Sequence, residues 1–314
     1  MKKIAFIFPG QGSQSTGMGL DLYDNFEAAK NVYAIADETL GKKISDICFN
    51  GPDEDLKLTI NAQSAIVATS KAALEAFKSQ CDIKPSLTMG HSLGEYCAMY
   101  CAEVMDLKTT MKAIQKRSEL MNDATKTTKG TMAAILGASI ETIQGALDEV
   151  SSLGLAQIAN YNDPTQIVIT GEIEAINKAC ELIKERGAKR VVPLAVSGGF
   201  HSSLMNSATD GFKEYTKELN LNDATIPVIT NVDAQPTIKA DEFREKMPNQ
   251  INSSVMWVQT IEKAIEMGVD TFIEFGNGKV LAGLNRKISS SITTYNVYDS
   301  SSLKTTVEQL MVGV

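Results

Sequence analysis

Residues 85–105 read PSLTMGHSLGEYCAMYCAEVM, and the parsing of this stretch decides the fold. The run up to Gly90 has strand character, and Leu93 to Met105 has helical character. Between them stands Gly90-His91-Ser92-Leu93-Gly94, the pattern G-x-S-x-G. Strand, sharp turn and helix in that order are the context that makes the pattern a nucleophile elbow. The serine must project from a tight turn, so its neighbours two residues away must be small. The helix that follows directs its positive end at the site. The backbone N–H of Leu93, just after the serine, can stabilise an oxyanion.

A serine hydroxyl needs a base. The chain contains two histidines, His91 and His201. Adjacent side chains diverge at a sharp elbow, so His91 is expected to point away from Ser92. It would hold the turn, or meet Glu95 or a backbone carbonyl. His201 lies in SGGFHSSLM, a Gly-rich turn opening a helical segment. A lone histidine is more often a satisfied structural residue. A candidate nucleophile with no other imidazole within reach shifts the balance to His201 as base.

Outward from the elbow, strands and helices alternate. Ile4–Phe8 is a short apolar run closed by Pro9-Gly10, which reads as a buried strand. Residues 61–77 and 107–124 have helical spacing, and 125–131, TKTTKGT, reads as a polar linker. The segment from about 127 to 197 has its own rhythm: strand, helix, a hairpin across Asn162-Asp163-Pro164, helix, strand. That β-α-β-β-α-β order is the ferredoxin-like pattern. The alternation then resumes with strands over 226–232 and 271–276, a helix over 255–268 between them, and a terminal helix. The expected fold is α/β, with a mainly parallel sheet covered on both faces and an inserted ferredoxin-like subdomain. The expected division is a core of 1–126 and 198–314 with a small subdomain of 127–197.

Bulk properties narrow the function. A chain of 314 residues can bury a sizeable core, and its net charge of −8 argues against a nucleic-acid binder. Five cysteines with no C-x-x-C suggest neither a disulfide framework nor a zinc ribbon. Cys97 and Cys101, four apart, read as small buried hydrophobes. The opening MKKIAFIFPGQG has an apolar run too short for a signal peptide, which needs roughly 7–15 apolar residues. No stretch has membrane-spanning length. The chain reads as a soluble, cytoplasmic protein.

Two further features carry chemistry. Arg117 falls on or beside the apolar stripe Leu107, Met111, Ile114, Leu120 and Met121. An inward guanidinium needs an anionic partner. On spacing alone, a structural ion pair and a bound substrate anion are equally good readings. PGQGSQSTGMG (9–19) follows the first strand but fails both G-x-G-x-x-G and the P-loop pattern. It reads as a tight turn that brings backbone N–H groups near a reacting centre.

Taken together, the chain resembles the malonyl-CoA:acyl carrier protein transacylases, the family that includes polyketide-synthase acyltransferase domains. The likeness rests on FPGQGSQ (8–14), GHSLGEY (90–96), KRSELM (116–121), NYNDPTQIVITG (160–171), GGFHSSLM (198–205), NVDAQP (231–236), QINSSVMWV (250–258) and FIEFGNGKVLAGL (272–284). The family fold is a hydrolase-like α/β core with a ferredoxin-like insert. The resemblance implies Ser92 as nucleophile, His201 as base and Gln250 as the residue whose carbonyl orients the histidine. It places the oxyanion on the N–H groups of Gln11 and Leu93, and the malonyl carboxylate on Arg117. Phe200 matches the malonyl-selecting pattern of polyketide relatives, where methylmalonyl enzymes carry a serine. Arg286 and Lys287 resemble a basic surface that meets the acidic carrier protein; an ordinary solvated helix face is the plainer alternative. The chain departs at Ala62 and Ser64, where Thr and Pro are common, and at Gly199, where a slightly larger residue is common. The implied partners are a coenzyme A thioester and acyl carrier protein, with neither nucleic acid nor membrane. The implied state is a monomer with no metal and no cofactor. The implied reaction is ping-pong malonyl transfer for fatty acid synthesis.

Overall fold

The computed structural model describes residues 3–311. Among the described residues, ten strands form two sheets. The first sheet is built on β1 (Ile4–Phe8), flanked by β2 (Leu87–Gly90) on one side and β9 (Thr271–Phe275) on the other. Among the other strands in chain order, β3 (Gly130–Leu136), β4 (Ala156–Asp163), β5 (Gln166–Glu172) and β6 (Arg190–Pro193) form the second sheet. The first sheet is completed by β7 (Val228–Ile229), β8 (Pro236–Thr237) and β10 (Thr293–Val297), in the order β10-β9-β1-β2-β7-β8. All its neighbours pair in parallel except β8, which runs antiparallel to β7 at one edge.

The sequence of β1 explains why it sits centrally. Its residues are apolar without alternation, the signature of a strand covered on both faces. Successive side chains point to opposite faces. Phe6 and Phe8 enter the larger apolar cluster, where their rings meet Phe275, while Ala5 and Ile7 enter a second cluster around Trp257. The helix Thr59–Gln80 is buried nearly all round, as a helix crossing a core must be.

The second sheet is antiparallel throughout, in the order β4-β5-β3-β6. Helices Ile140–Glu149 and Ile173–Glu185 pack together on it over a separate apolar cluster that includes Ile143, Ile169 and Ile176. This is the ferredoxin-like arrangement beside a mostly parallel α/β sheet. The second sheet meets the rest of the molecule along β4, against the segment at Val255 and the helices Trp257–Glu266 and Val280–Ile288. Tyr161 N–H donates to the Val255 carbonyl at 2.9 Å, and Val255 N–H to the Ala159 carbonyl at 2.8 Å. The Lys287 ammonium pairs with the fully buried Asp163 carboxylate at 3.0 Å.

Three local expectations are corrected. Residues 125–131 are not a linker, because the helix Leu107–Thr127 consumes the first of them and β3 begins at Gly130. Residues 93–105 do not form one helix. A tight turn over Ser92–Gly94 leads into a helix of only Glu95–Cys101, and left-handed Glu103 (φ 63°) ends the segment. The strand expected over 226–232 is two residues long, because Thr230 and Asn231 turn away into a loop. Four further helices, not among the elements expected above, fill Leu20–Lys57. No helix among the described residues is long and apolar enough to cross a membrane.

Candidate active site

The elbow is shaped by close packing. A Cβ on Gly90 would lie 2.0 Å from the Gly94 carbonyl carbon, and one on Gly94 would lie 2.2 Å from the Phe8 carbonyl oxygen. Both glycines are therefore required by contact, in keeping with the pattern's demand for small residues. Ser92 occupies left-handed backbone at φ 51°, which costs a non-glycine residue about 1–2 kcal/mol. The strain raises its side chain from the turn towards His201.

Ser92 Oγ lies 2.8 Å from His201 Nε2. His201 is itself left-handed, at φ 57°. Its Nδ1 faces two carbonyl oxygens, Gln250 at 3.0 Å and Ser253 at 3.1 Å. Carbonyls only accept, so Nδ1 carries the ring proton and Nε2 offers a lone pair to the serine hydroxyl. Burial lowers the His201 pKa to about 3, with the Arg117 guanidinium and His91 adding to the fall and the two carbonyls opposing it. The imidazole is therefore neutral across the physiological range, the form a general base needs.

His91 does not pair with Ser92, as expected, and meets its own backbone carbonyl rather than Glu95. Its Nε2 contacts Asn162 Oδ1 at 2.8 Å, at the end of β4, and its ring lies 5.6 Å from that of Trp257. Burial lowers its pKa as well.

Arg117 is 1 % exposed, yet its hydrogen-bond partners are all neutral. One terminal nitrogen donates to Gln63 Oε1 at 2.6 Å. The other donates to Gln250 Oε1 at 3.0 Å and to Ser92 Oγ at 3.3 Å. Its Nε has no partner among the described residues. Burial lowers its pKa, and nearby Tyr96 and Glu95 partly offset this. A buried guanidinium bonded only to two amides and a hydroxyl still has charge to offer a carboxylate.

Ser92, His201 and Arg117 line one cavity of about 370 Å³. Gln11 and Gly12 from the turn after β1 form part of its wall, and Met121, Met132, Val168, Leu194 and Phe200 give it apolar faces. The N–H groups of Gln11 and Leu93 donate to no protein acceptor among the described residues. The Ser92 N–H is spent on Asn231 Oδ1, at 2.6 Å. Arg286 and Lys287 lie away from this cavity, exposed at the end of the helix Val280–Ile288, with Lys287 already paired to Asp163. No group of three or more His, Cys, Asp or Glu among the described residues could hold a metal ion. All five cysteines are free.

Sequence reasoning singled out neither Gln63, Ser253, Asn162 nor Asn231 for the site. Each acts through a backbone carbonyl or side-chain amide whose position depends on tertiary packing, so spacing carries no signal for it.

A serine, a neutral histidine and a caged arginine on such an elbow define an acyl-transfer site, and the comparisons agree. The family model described as "Acyl transferase domain" matches residues 5–296. The chain belongs to the acyl transferase family. It is 45 % identical over 311 residues to the malonyl CoA-acyl carrier protein transacylase of Bacillus subtilis strain 168, covering 99 % of this chain and 98 % of that one. The crystal structure of the malonyl CoA-acyl carrier protein transacylase of Clostridium perfringens superposes with a TM-score of 0.94 at 37 % identity, covering 98 % of this chain and 97 % of that one. A malonyl-transacylase in complex with its type II polyketide acyl-carrier protein superposes with a TM-score of 0.95 at 36 % identity, covering 98 % and 100 %.

Proposed function

We propose that this protein transfers a malonyl group from malonyl-CoA to the phosphopantetheine thiol of acyl carrier protein, through an ester on Ser92, and so supplies fatty acid synthesis. The observation that carries this reading is Arg117: a buried cation with amide partners, 3.3 Å from the Ser92 hydroxyl. A substrate bearing both a thioester and a free carboxylate satisfies both groups at once. The names of the relatives point the same way.

In the first half-reaction His201 Nε2 accepts the Ser92 proton as Oγ attacks the thioester carbonyl. The oxyanion rests on the N–H groups of Gln11 and Leu93, each contributing about 3 kcal/mol in the transition state. The C–S bond then breaks, and the coenzyme A sulfur takes the proton from the imidazolium. The malonyl group remains as an ester on Ser92, its carboxylate held through two parallel bonds by Arg117. In the second half the carrier thiol gives its proton to His201 and attacks the ester, and Ser92 Oγ recovers the proton as it leaves.

Gln250 orients His201 through its carbonyl, sharing the task with Ser253. Two carbonyls stabilise imidazolium less than a carboxylate would. A thiol leaving group, with a pKa of about 8.5, needs less general-acid help than an amine. The apolar faces of Phe200 and Met121 bound the space around the malonyl methylene. Exposed Arg286, with Lys287 beside it, offers charge to an acidic carrier protein. Residues 127–197 act as a small subdomain closing over the core of 1–126 and 198–314. The enzyme works in the cytoplasm as a monomer, without metal or cofactor.

The test is intact-mass spectrometry after incubation with malonyl-CoA, followed by a chase with holo carrier protein. The expected result is a malonyl adduct on Ser92 that disappears as malonyl carrier protein forms. Hydrolysis of malonyl-CoA at the same rate with or without the carrier would instead assign an esterase.

A further inference from the structure

The strained backbone of Ser92 has a dedicated support outside the reacting groups. Asn231 follows β7 by two residues and is fully buried. Its Oδ1 accepts the Ser92 N–H at 2.6 Å, and its Nδ2 donates to the Gly90 carbonyl at 2.7 Å. One amide therefore grips the elbow on both sides of His91. Asn231 is gripped in turn, because its own N–H donates to Glu95 Oε2 at 2.6 Å. Glu95 opens the helix after the elbow and is 1 % exposed. Turn, helix and β7 loop are thus closed into a ring of three short bonds.

Neither residue is spent on substrate. The Ser92 N–H cannot serve as an oxyanion donor while Asn231 holds it. A buried carboxylate kept this close to the nucleophile is costly unless it has work to do. Its work is to fix the loop that fixes the serine, and with it the 2.8 Å approach of Oγ to His201 Nε2.

We propose that Asn231 and Glu95 are positioning residues for acyl transfer, Asn231 locking Ser92 in its left-handed conformation and Glu95 locking Asn231. This rests on the acyl-transfer reading above. Glu95 is surrounded by the Asn231 N–H and Asp233 from the β7 loop, Gln250 from the helix Ala240–Asn252, and Arg117 from the helix Leu107–Thr127. Burial raises its pKa to about 7 and Asp233 adds to the rise, while the Asn231 N–H, Gln250 and Arg117 pull it down. Protonation makes it a poorer acceptor for the Asn231 N–H, so transfer weakens as pH falls through about 7. His201 is neutral down to about 3 and cannot produce that limb.

The experiment compares the parent enzyme with Asn231→Ala, Glu95→Ala and Glu95→Gln, using malonyl-CoA and holo carrier protein, with thermal melts alongside. Loss of malonyl transfer in the parent itself would overturn the underlying reading, and only a competent parent tests the proposal. Expected for Asn231→Ala is a fall in kcat of about 100-fold with KM within about threefold, as for displacement of a reacting group by about 1 Å. Glu95→Ala should lose about tenfold or more, and Glu95→Gln, which keeps an acceptor oxygen, should recover most of it at a pH of about 8 and flatten the acid limb. A folded Asn231→Ala enzyme with parental kcat overturns the proposal. So does a Glu95→Gln enzyme whose acid limb is unchanged, which decides the matter even if the alanine variants fail to fold.

Discussion

The two sheets differ in what they contribute to one cavity. The parallel sheet delivers the reacting group: Ser92 stands at the end of β2, strained and held by short bonds. The antiparallel sheet delivers wall: Met132 from β3, Asn160 and Asn162 from β4 and Val168 from β5 line the same cavity, with the β4–β5 register shifting between Ile158 and Asn160 and between Tyr161 and Asp163. Parallel strands all end at one edge, where the turns after them converge. That edge can force a residue into an unfavourable backbone and over-determine it from both neighbours. The four-stranded antiparallel sheet supplies side chains that shape the cavity, and its irregularities lie in β4.

Variants that break this division should differ in size of effect. Ser92→Ala should abolish the malonyl adduct and lower transfer by about 10⁴-fold or more, read by intact mass and by carrier acylation. Next comes Arg117→Ala. It should lower kcat/KM for malonyl-CoA by about 10²–10³-fold while acetyl transfer is kept or gained, because acetyl-CoA leaves the guanidinium unpaired in the parent. Equal losses for both substrates would remove Arg117 from selectivity. Because the guanidinium helps depress His201, the same variant should also raise the His201 pKa from about 3.

Phe200→Ser sharpens the comparison on the wall side. It should change the ratio of methylmalonyl to malonyl transfer by about tenfold, the scale of a methylene-sized change in an apolar pocket, measured by competition between the two thioesters. An unchanged ratio would confine Phe200 to packing.

Lys71 tests whether every buried charge near the parallel sheet is functional. It is fully buried in the helix Thr59–Gln80 and its Nζ has no hydrogen-bond partner among the described residues. It lies 4.1 Å from the centroid of the Tyr100 ring. Burial lowers its pKa to about 7. A lysine depressed in the folded state binds fewer protons there than when unfolded. Its cost to stability is therefore full below about 7 and disappears as pH rises towards the ordinary value of 10.5. Lys71→Met should stabilise the fold by about 1–4 kcal/mol. The gain should be larger at a pH of about 6.5 than at about 9.5, in thermal or urea unfolding, with transfer unchanged. A variant less stable than the parent at the lower pH would refute this.

The smallest effect is expected where the helix Val280–Ile288 meets β4. Lys287→Ala removes the only ion pair formed by Asp163 among the described residues. The carboxylate keeps its bonds to the N–H and hydroxyl of Thr165, each at 2.7 Å. The loss should be about 1–2 kcal/mol, in denaturant unfolding. A several-fold rise in KM for the carrier protein, with KM for malonyl-CoA unmoved, would identify Lys287 as a carrier contact as well.

Much of this was legible from the chain. The unalternating apolar run of β1 and the G-x-S-x-G elbow announced a doubly covered parallel sheet. The βαββαβ rhythm announced the second sheet, because both signals are local and periodic. The short helix after the elbow was not legible, since the backbone reversal at Glu103 interrupts an apolar pattern that would otherwise continue. Of the helices in Leu20–Lys57, three are too short for helical periodicity to register, whereas Glu27–Leu40 buries Ala29, Val32, Tyr33, Ala36 and Leu40 at helical spacing, a signal the chain does carry.

The sequence by itself therefore determined the architecture and the pairing of Ser92 with a histidine 109 residues away, because few residues could serve and the elbow excludes its own neighbour. Tertiary structure alone decided what surrounds them. Two carbonyls set the tautomer of His201, two glutamine amides hold Arg117 in place of a carboxylate, and one asparagine holds the elbow. These are amide groups, which occur at every residue and in many side chains. Only the folded chain selects which of them point inward, because a buried polar group must find its partner there.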